Sequence, residues 1–264
     1  MRLDRLNEME HYIYRCGNVS LENLSEHFGV SINTVRRDVG ELLKNGTIRK
    51  VYGGVIATPA AELIPISHRE EANLDAKKTI ARLAAEQIQD NTTLYLDTGT
   101  TVSEIVPYLI NRQNLTIITN SLRVIEGVSQ HPNINLFTLG GFYNGEISGF
   151  VGITVIDSLN RLAFDTAVIS TTGISLDSGL TIGGYFEDPI KRHVLEHSRK
   201  RVILVADSGK FDRTALFSFG DIKDINCIIT EKEPPRPYRE KFQQLNVEMI
   251  YPQDLGAKRN EETD

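Results

Sequence analysis

Several short polar stretches stand in the later part of this chain where apolar runs end. The first is Asp97-Thr98-Gly99-Thr100-Thr101, which follows Leu94-Tyr95-Leu96 and precedes a helical pattern. A glycine and three hydroxyls at a strand-to-helix turn suit an anion, because the first N–H groups of a helix lack partners and its dipole is positive there. Further along come Thr119-Asn120-Ser121, Gly140-Gly141, Ser170-Thr171-Thr172-Gly173 and Asp207-Ser208-Gly209-Lys210. Glu187 and Lys191 lie four apart at the start of an expected helix and can share one face. Taken singly, a threonine-rich turn is usually an N-cap, a Gly-Gly pair a turn, and a Glu/Lys pair at this spacing a weak surface bridge. Their recurrence at successive strand ends points to one site for a phosphate or carboxylate, centred on Gly99 to Thr101.

A second polar group lies near the start. At 100° per residue, Ile32, Val35, Val39, Leu42 and Leu43 fall on one arc of a helix, and Asn33, Arg36, Arg37, Gly40 and Lys44 on the opposite arc. Arg matches O6 and N7 of guanine, Asn matches N6 and N7 of adenine, and Lys neutralises phosphate. Any lone Arg pair is more simply a solvated surface. Here Ser31 and Thr34 at the helix start and Arg49 and Lys50 beyond its end extend the basic arc, so the expected DNA contacts are Ser31, Asn33, Thr34, Arg36, Arg37, Lys44, Arg49 and Lys50. Gly40 costs about 1 kcal/mol relative to Ala inside a helix. Close approach to DNA and helix packing both account for it.

The elements that must hold these residues follow from spacing. Leu3, Leu6, Met9, Ile13 and Cys16 recur at three and four, one helical face, until Gly17-Asn18 stops it. Ser20 caps a second helix that turns Leu21, Leu24 and Phe28 inward, Gly29 ends it, and Ser31 caps the third. Asn45-Gly46 closes the third helix, and Thr47 to Tyr52, Gly53-Gly54 and Val55-Ile56 form a hairpin. This is a helix-turn-helix followed by a β-wing.

From residue 77 onward, helical patterns alternate with β-branched runs. Strands are expected at 93–96, 115–118, 134–139, 166–170, 202–206, 226–230 and 247–251, and helices around 77–90, 102–111, 121–130, 153–162, 188–199 and 236–245. Alternation of this kind implies a largely parallel sheet with helices on both faces, whose ligands bind beyond the carboxyl ends of the strands. Residues 57–76 contain two prolines and no sustained period. The expected organisation is therefore a DNA-binding domain at 1–57, a linker at 58–76 and an α/β sensing and oligomerisation domain at 77–264.

Bulk composition agrees. A chain of 264 residues exceeds one ordinary domain, and 40% hydrophobic with 24% charged residues supplies a core for each of two. The net charge of -6 is uneven: residues 1–57 carry eight Lys/Arg and seven Asp/Glu, leaving 21 basic and 28 acidic residues in the remainder. Within the head, residues 31–50 hold five bases against two acids, which is where a phosphate backbone can be met. Cys16 and Cys227, without any CxxC or Cys/His cluster, read as core thiols of a reducing compartment. No metal site, no cofactor and no catalytic residue is expected. The start lacks a signal-peptide core and no apolar run nears the length of a membrane span, so a cytoplasmic protein with no membrane partner is expected.

The segment Val19-Ser20-Leu21, Leu24, Phe28-Gly29-Val30-Ser31, Thr34-Val35-Arg36-Arg37-Asp38-Val39, Leu42, Gly46 and Tyr52-Gly53-Gly54 resembles the DNA-binding segment of the DeoR family of bacterial sugar-catabolism regulators. The likeness continues through Asp97 to Thr101, Thr119-Asn120, Gly140-Gly141, Gly173, Glu187 with Lys191, and Asp207 with Lys210. Over its whole length the chain is most similar to the family's repressors of myo-inositol catabolism. The resemblance implies a sensor domain like ribose-5-phosphate isomerase in fold that binds phosphorylated sugars. It places Thr98, Gly99, Thr100 and Thr101 on the phosphate, Asp97, Asn120, Glu187 and Asp207 on sugar hydroxyls, Lys191 and Lys210 as added positive charge, and Gly140 and Gly141 in the pocket. Gly209 stands where the family usually has Ser, and Ser170-Thr171-Thr172 replaces a more apolar run.

The expectation is thus a regulator, acting as a repressor, of a sugar or inositol catabolic operon. Its partners would be double-stranded operator DNA, a phosphorylated sugar or inositol-pathway intermediate as inducer, and further copies of itself, as a dimer or tetramer. The alternative is a phosphosugar isomerase-like enzyme with a DNA-binding appendage, with Glu187 or Asp207 as acid or base. A helix-turn-helix head has no use in an isomerase, which favours the regulator.

Overall fold

The structure, a computed structural model, describes residues 5–6, 8–9, 12–13, 18–44, 48–51, 54–57, 66–184 and 186–252. It divides the chain into two compact units, Met1–Pro65 and Ile66–Asp264.

In the first unit residues 5, 6, 8, 9, 12 and 13 are helical, with Leu6, Met9 and Ile13 buried. Leu3 and Cys16 lie outside the described residues. After β1 (Asn18–Val19), Ser20 accepts from the Asn23 N–H at 3.1 Å and starts α1 (Leu21–Phe28), which ends at Gly29 with φ 61°. Only a residue without Cβ takes that left-handed turn at no steric cost. Ser31 Oγ accepts from the Thr34 N–H at 3.3 Å and opens α2 (Ile32–Lys44). Strands β2 (Ile48–Val51) and β3 (Gly54–Ala57) form the expected antiparallel hairpin. β1 adds a third strand against β3, unforeseen because Gly17-Asn18 reads only as a helix stop. A Cβ on Gly54 would stand 2.3 Å from the Val19 carbonyl oxygen, so this close crossing requires glycine. The Asn45-Gly46 cap, Thr47, the Tyr52-Gly53 turn and the side chains of Lys44 and Arg49 lie outside the described residues.

In the second unit α3 (Ile66–Glu71) and α4 (Leu74–Glu86) come first. The linker expected over 58–76 is corrected here: from Ile66 the chain is helical and part of this unit. Ile66 is the only apolar residue of α3, so this helix shows no apolar period in sequence, and Asn73 at φ 55° separates it from α4. The rest runs β4 (Thr93–Leu96), α5 (Thr100–Ser103), α6 (Val106–Leu109), β5 (Thr116–Thr119), α7 (Leu122–Ser129), β6 (Asn135–Thr138), β7 (Phe142–Asn144), β8 (Gly149–Val151), α8 (Ile153–Leu159), β9 (Thr166–Ser170), β10 (Gly173–Ser175), β11 (Gly179–Ile182), α9 (Asp188–His197), β12 (Arg201–Val205), β13 (Phe217–Gly220), β14 (Cys227–Ile229), α10 (Arg236–Gln244) and β15 (Glu248–Ile250).

Seven strands make one sheet in the order β15-β14-β12-β9-β4-β5-β6, with every adjacent pair parallel. Its two faces bury alternate residues: Leu94, Leu96, Ile117 and Val168 pack with Ile80, Val102 and Val124, whereas Tyr95, Ile118, Ala167 and Ile169 pack with Val155, Ile190 and Tyr238. Period two with both faces covered makes these strands continuous apolar runs, and that is why they are legible in sequence. Two additions are not: the β7–β8 hairpin and an antiparallel sheet β10-β11-β13. Cys227 is buried and free. Among the described residues no helix is long and apolar enough to cross a membrane, and no group of three or more His, Cys, Asp or Glu could hold a metal ion.

Candidate functional site

On α2 the apolar arc is inside: Val35, Val39 and Leu42 are buried. Ser31, Asn33, Arg36 and Arg37 are exposed and Thr34 is half-buried; Lys50 on β2 is exposed. Asp38, counted above as an acid that offsets the basic arc, is fully buried. Its Oδ2 accepts from Arg5 Nε at 2.9 Å and from a second Arg5 nitrogen at 2.8 Å. The exposed surface of the helix is thereby more positive than its sequence suggests. A Cβ on Gly40 would meet nothing within 4 Å, so helix packing does not account for this glycine.

In the second unit the strand ends converge. Asp97, just past β4, is 2% exposed and its Oδ2 accepts from Ser170 N at 3.0 Å, from Ser170 Oγ at 2.8 Å and from Lys191 Nζ. Lys191 also donates to the Ser170 carbonyl at 2.9 Å. Burial alone would raise the Asp97 carboxyl, but the Lys191 ammonium and the donors on it hold it below the ordinary carboxylate value. Lys191, expected as added positive charge for a ligand, is instead buried and neutralised by Asp97. Ser170 explains two sequence features at once. Its hydroxyl anchors Asp97, and a Cβ on Gly99 would lie 2.1 Å from that oxygen. Thr171 Oγ1 likewise bonds internally, to the carbonyls of Gly173 and Thr181.

Thr98 Oγ1 donates to Glu187 Oε1 at 3.4 Å. Burial raises Glu187 above the ordinary carboxylate range, with Asp97 adding to the rise and Lys191, Arg69 and the Thr98 hydroxyl opposing it. Asn120 accepts from the Tyr95 hydroxyl at 2.8 Å and donates to the Phe150 carbonyl at 2.8 Å. Thr100 and Thr101 open α5, and among the described residues no acceptor meets the N–H groups of Gly99, Thr100 or Thr101. Asp207 caps a short 3-10 turn by accepting from the Gly209 N–H at 3.0 Å. A Cβ on Gly209 would stand 2.9 Å from that carboxylate, a physical reason for glycine there.

Two cations that sequence reasoning missed join this cluster: Arg69, because α3 was taken for linker, and Lys77, because it opens the expected 77–90 helix away from any strand end. Arg69 donates to the Glu146 carbonyl, and its own carbonyl accepts from Thr100 Oγ1 at 3.5 Å. Lys77, 4% exposed, donates to the carbonyls of Arg69 and Glu70, so it caps the end of α3. Burial lowers the pKa of Arg69, of Lys77 and of Lys210, and the field of Asp207 opposes this at both lysines. None of the three forms an ion pair among the described residues. Gly140 and Gly141 are placed differently: they line a shallow groove with Phe142, Val151, Gly152, Ile153 and Thr154. Between groove and cluster lies the β7–β8 hairpin, where a Cβ on Gly149 would meet Thr98 and the Asn120 carbonyl.

A helix-turn-helix with an exposed basic helix, joined to an α/β unit with a polar cluster at its strand ends, defines the class: a DNA-binding transcriptional regulator with a sensor domain. Comparison with known proteins makes this specific. Residues 5–59 match the DeoR-like helix-turn-helix domain and residues 72–232 the DeoR C terminal sensor domain. The HTH-type transcriptional regulator IolR of Bacillus subtilis is 38% identical over 232 residues, 88% of this chain and 92% of that protein. The glycerol-3-phosphate regulon repressor of Escherichia coli is 33% identical, over 88% and 91% respectively. The chain belongs to the DeoR family of transcriptional regulators, and the enzyme alternative falls away with that membership. Ribose 5-phosphate isomerase from Methanocaldococcus jannaschii aligns over 53% of this chain and 55% of its own, at 20% identity and a TM-score of 0.40.

Proposed function

We propose that this protein is a repressor of a sugar or inositol catabolic operon, released from operator DNA by a phosphorylated sugar-like inducer. One observation carries it: Arg69, Lys77 and Lys210 are partly or fully stripped of water, lack carboxylate partners among the described residues, and share their surroundings with the open N–H groups of Gly99 to Thr101. Buried cations are ordinarily paired, so such a cluster fits a bound anion. Glu187, Asn120 and Asp207 suit hydroxyls beside that anion, while Asp97 and Lys191 hold the loop in shape. Arg36 and Arg37, with Asn33, Ser31, Thr34 and Lys50, face the operator; Lys44 and Arg49 remain expected contacts. A relative named the glycerol-3-phosphate regulon repressor supports the phosphorylated polyol class.

Release follows from linkage: an inducer that favours one arrangement of the second unit lowers operator affinity by the coupling free energy, about 1–3 kcal/mol in allosteric systems. Operator binding by fluorescence anisotropy, titrated with a panel of sugar phosphates, inositol-derived phosphates and inorganic phosphate, tests it. Release by one phosphorylated compound and not by its unphosphorylated parent is expected. Operator affinity unmoved by the whole panel refutes the inducer.

A further inference from the structure

The two edges of the seven-stranded sheet are built differently. At one edge β15 carries Glu248, which pairs with Arg201 of β12, and a charged edge discourages further strands. At the other, β6 reads Asn135-Leu136-Phe137-Thr138, without charge or proline. Its ladder to β5 includes Asn135 N–H on the Leu115 carbonyl at 2.9 Å and Leu139 N–H on the Thr119 carbonyl at 2.8 Å. Alternation therefore turns the backbone groups of Leu136 and Thr138 away from β5, where no described strand pairs with them.

The strand itself and the hairpin that follows it in sequence are apolar and poor in charge, although α7, packed on β6, carries Arg123 and Glu126. Phe142 is 72% and Ile153 70% exposed, with Phe137 and Tyr143 near half. From Gly127 to Ile156 the only Asp, Glu, Lys or Arg is Glu146, where a chain 24% charged would place about seven such residues. The chain carries net charge -6, all of it outside the head, so two copies repel over much of their surface, and β6 with its hairpin adds only Glu146 to that repulsion. A partner of other composition would call for complementary charge. An uncharged open strand complements itself.

We propose that the β6 edge and the β7–β8 hairpin form a two-fold interface between two copies of this chain, β6 meeting β6 antiparallel so that two sheets become one. Such an interface is isologous and closes at a dimer. It deepens the proposed function, resting on that reading only in naming the face through which two DNA-reading heads are held together.

Sedimentation of the full chain tests it. The wild type is expected to sediment as two copies or a multiple of two. Thr138→Pro removes an outward N–H without touching the β5 ladder, and Phe137→Lys places charge on the edge. Each should halve the mass at equal concentration while cooperative melting persists. Phe142→Lys, on the hairpin, should do the same and decides the matter if an edge variant fails to melt cooperatively. Leu216→Lys, at a 58% exposed position away from this face in sequence, should leave the mass unchanged. A monomeric wild type, or folded variants of wild-type mass, overturns the interface. Halved mass together with an operator that no phosphorylated compound releases would keep the interface and refute the inducer instead.

Discussion

The DNA-reading helix and the strand-end cluster use polar residues in opposite ways. On α2 the assigned residues Asn33, Arg36 and Arg37 are exposed, and the one buried polar side chain among its described residues, Asp38, is spent on Arg5. In the second unit Asp97, Thr98, Asn120 and Lys191 are buried and bonded mainly to one another or to nearby backbone. A surface that meets DNA needs only a face free of internal partners, whereas a site inside a sheet must first satisfy its own groups. Substitutions should therefore separate: binding without stability in the head, stability together with binding in the second unit.

The largest expected effect is Lys191→Met. It leaves Asp97 buried without its cation, and breaking a buried pair costs about 3–5 kcal/mol. Urea unfolding of the second unit should shift by that amount. A shift under about 1 kcal/mol would mean that Ser170 alone suffices for Asp97. In the head Arg5→Met is the counterpart, because Asp38 Oδ1 already lacks a partner among the described residues. Its stability loss should match in direction and be smaller, since the Arg5 side chain is 25% exposed.

Arg36→Ala and Arg37→Ala come next. A guanidinium that reads a base is worth about 1–3 kcal/mol, so operator affinity should fall about fivefold to 150-fold for whichever reaches a base, with the melting transition unchanged. Equal affinity in both variants would take the reading face away from this arc.

Ionisation gives a subtler contrast inside the second unit. Asp97 is held below its ordinary value, so its contribution is full above that value and is lost as pH falls through the folded one. Glu187 is held above its ordinary value, so the folded state binds its proton more tightly and stability falls as pH rises from the ordinary value through the raised one. Glu187→Gln should remove that decline, measured as urea midpoints from about pH 4 upward. A decline that persists in the variant would assign it to another group.

How much could be read from the sequence follows the same division. The helix caps Ser20, Gly29 and Ser31 and the strands at Thr93–Leu96 and Thr166–Ser170 are local or periodic, and the structure has them as expected. Arg69 was lost because α3 carries a single apolar residue and so no helical period, and Lys77 because it opens the expected 77–90 helix rather than lying at a strand end. The pairing of Asp97 with Lys191 spans 94 positions, and nothing local in either residue announces it. The β7–β8 hairpin was missed because its strands are three residues each and β7 carries no alternation of burial.

Gly40 offers the finest test of the division, with the smallest expected effect. Ala in its place gains about 1 kcal/mol of helix stability, and since the added methyl meets nothing within 4 Å the gain should appear in full as a higher melting point of the head. If the outward arc of α2 lies against DNA as far as its third turn, the same methyl must occupy space the duplex needs. Operator affinity should then fall although the protein is more stable, an opposition that no folding defect can mimic. Anisotropy titrations at fixed salt, beside thermal melts, read both quantities. Higher stability with unchanged affinity would end the reading face at Arg37 and leave the cost of Gly40 without a binding reason.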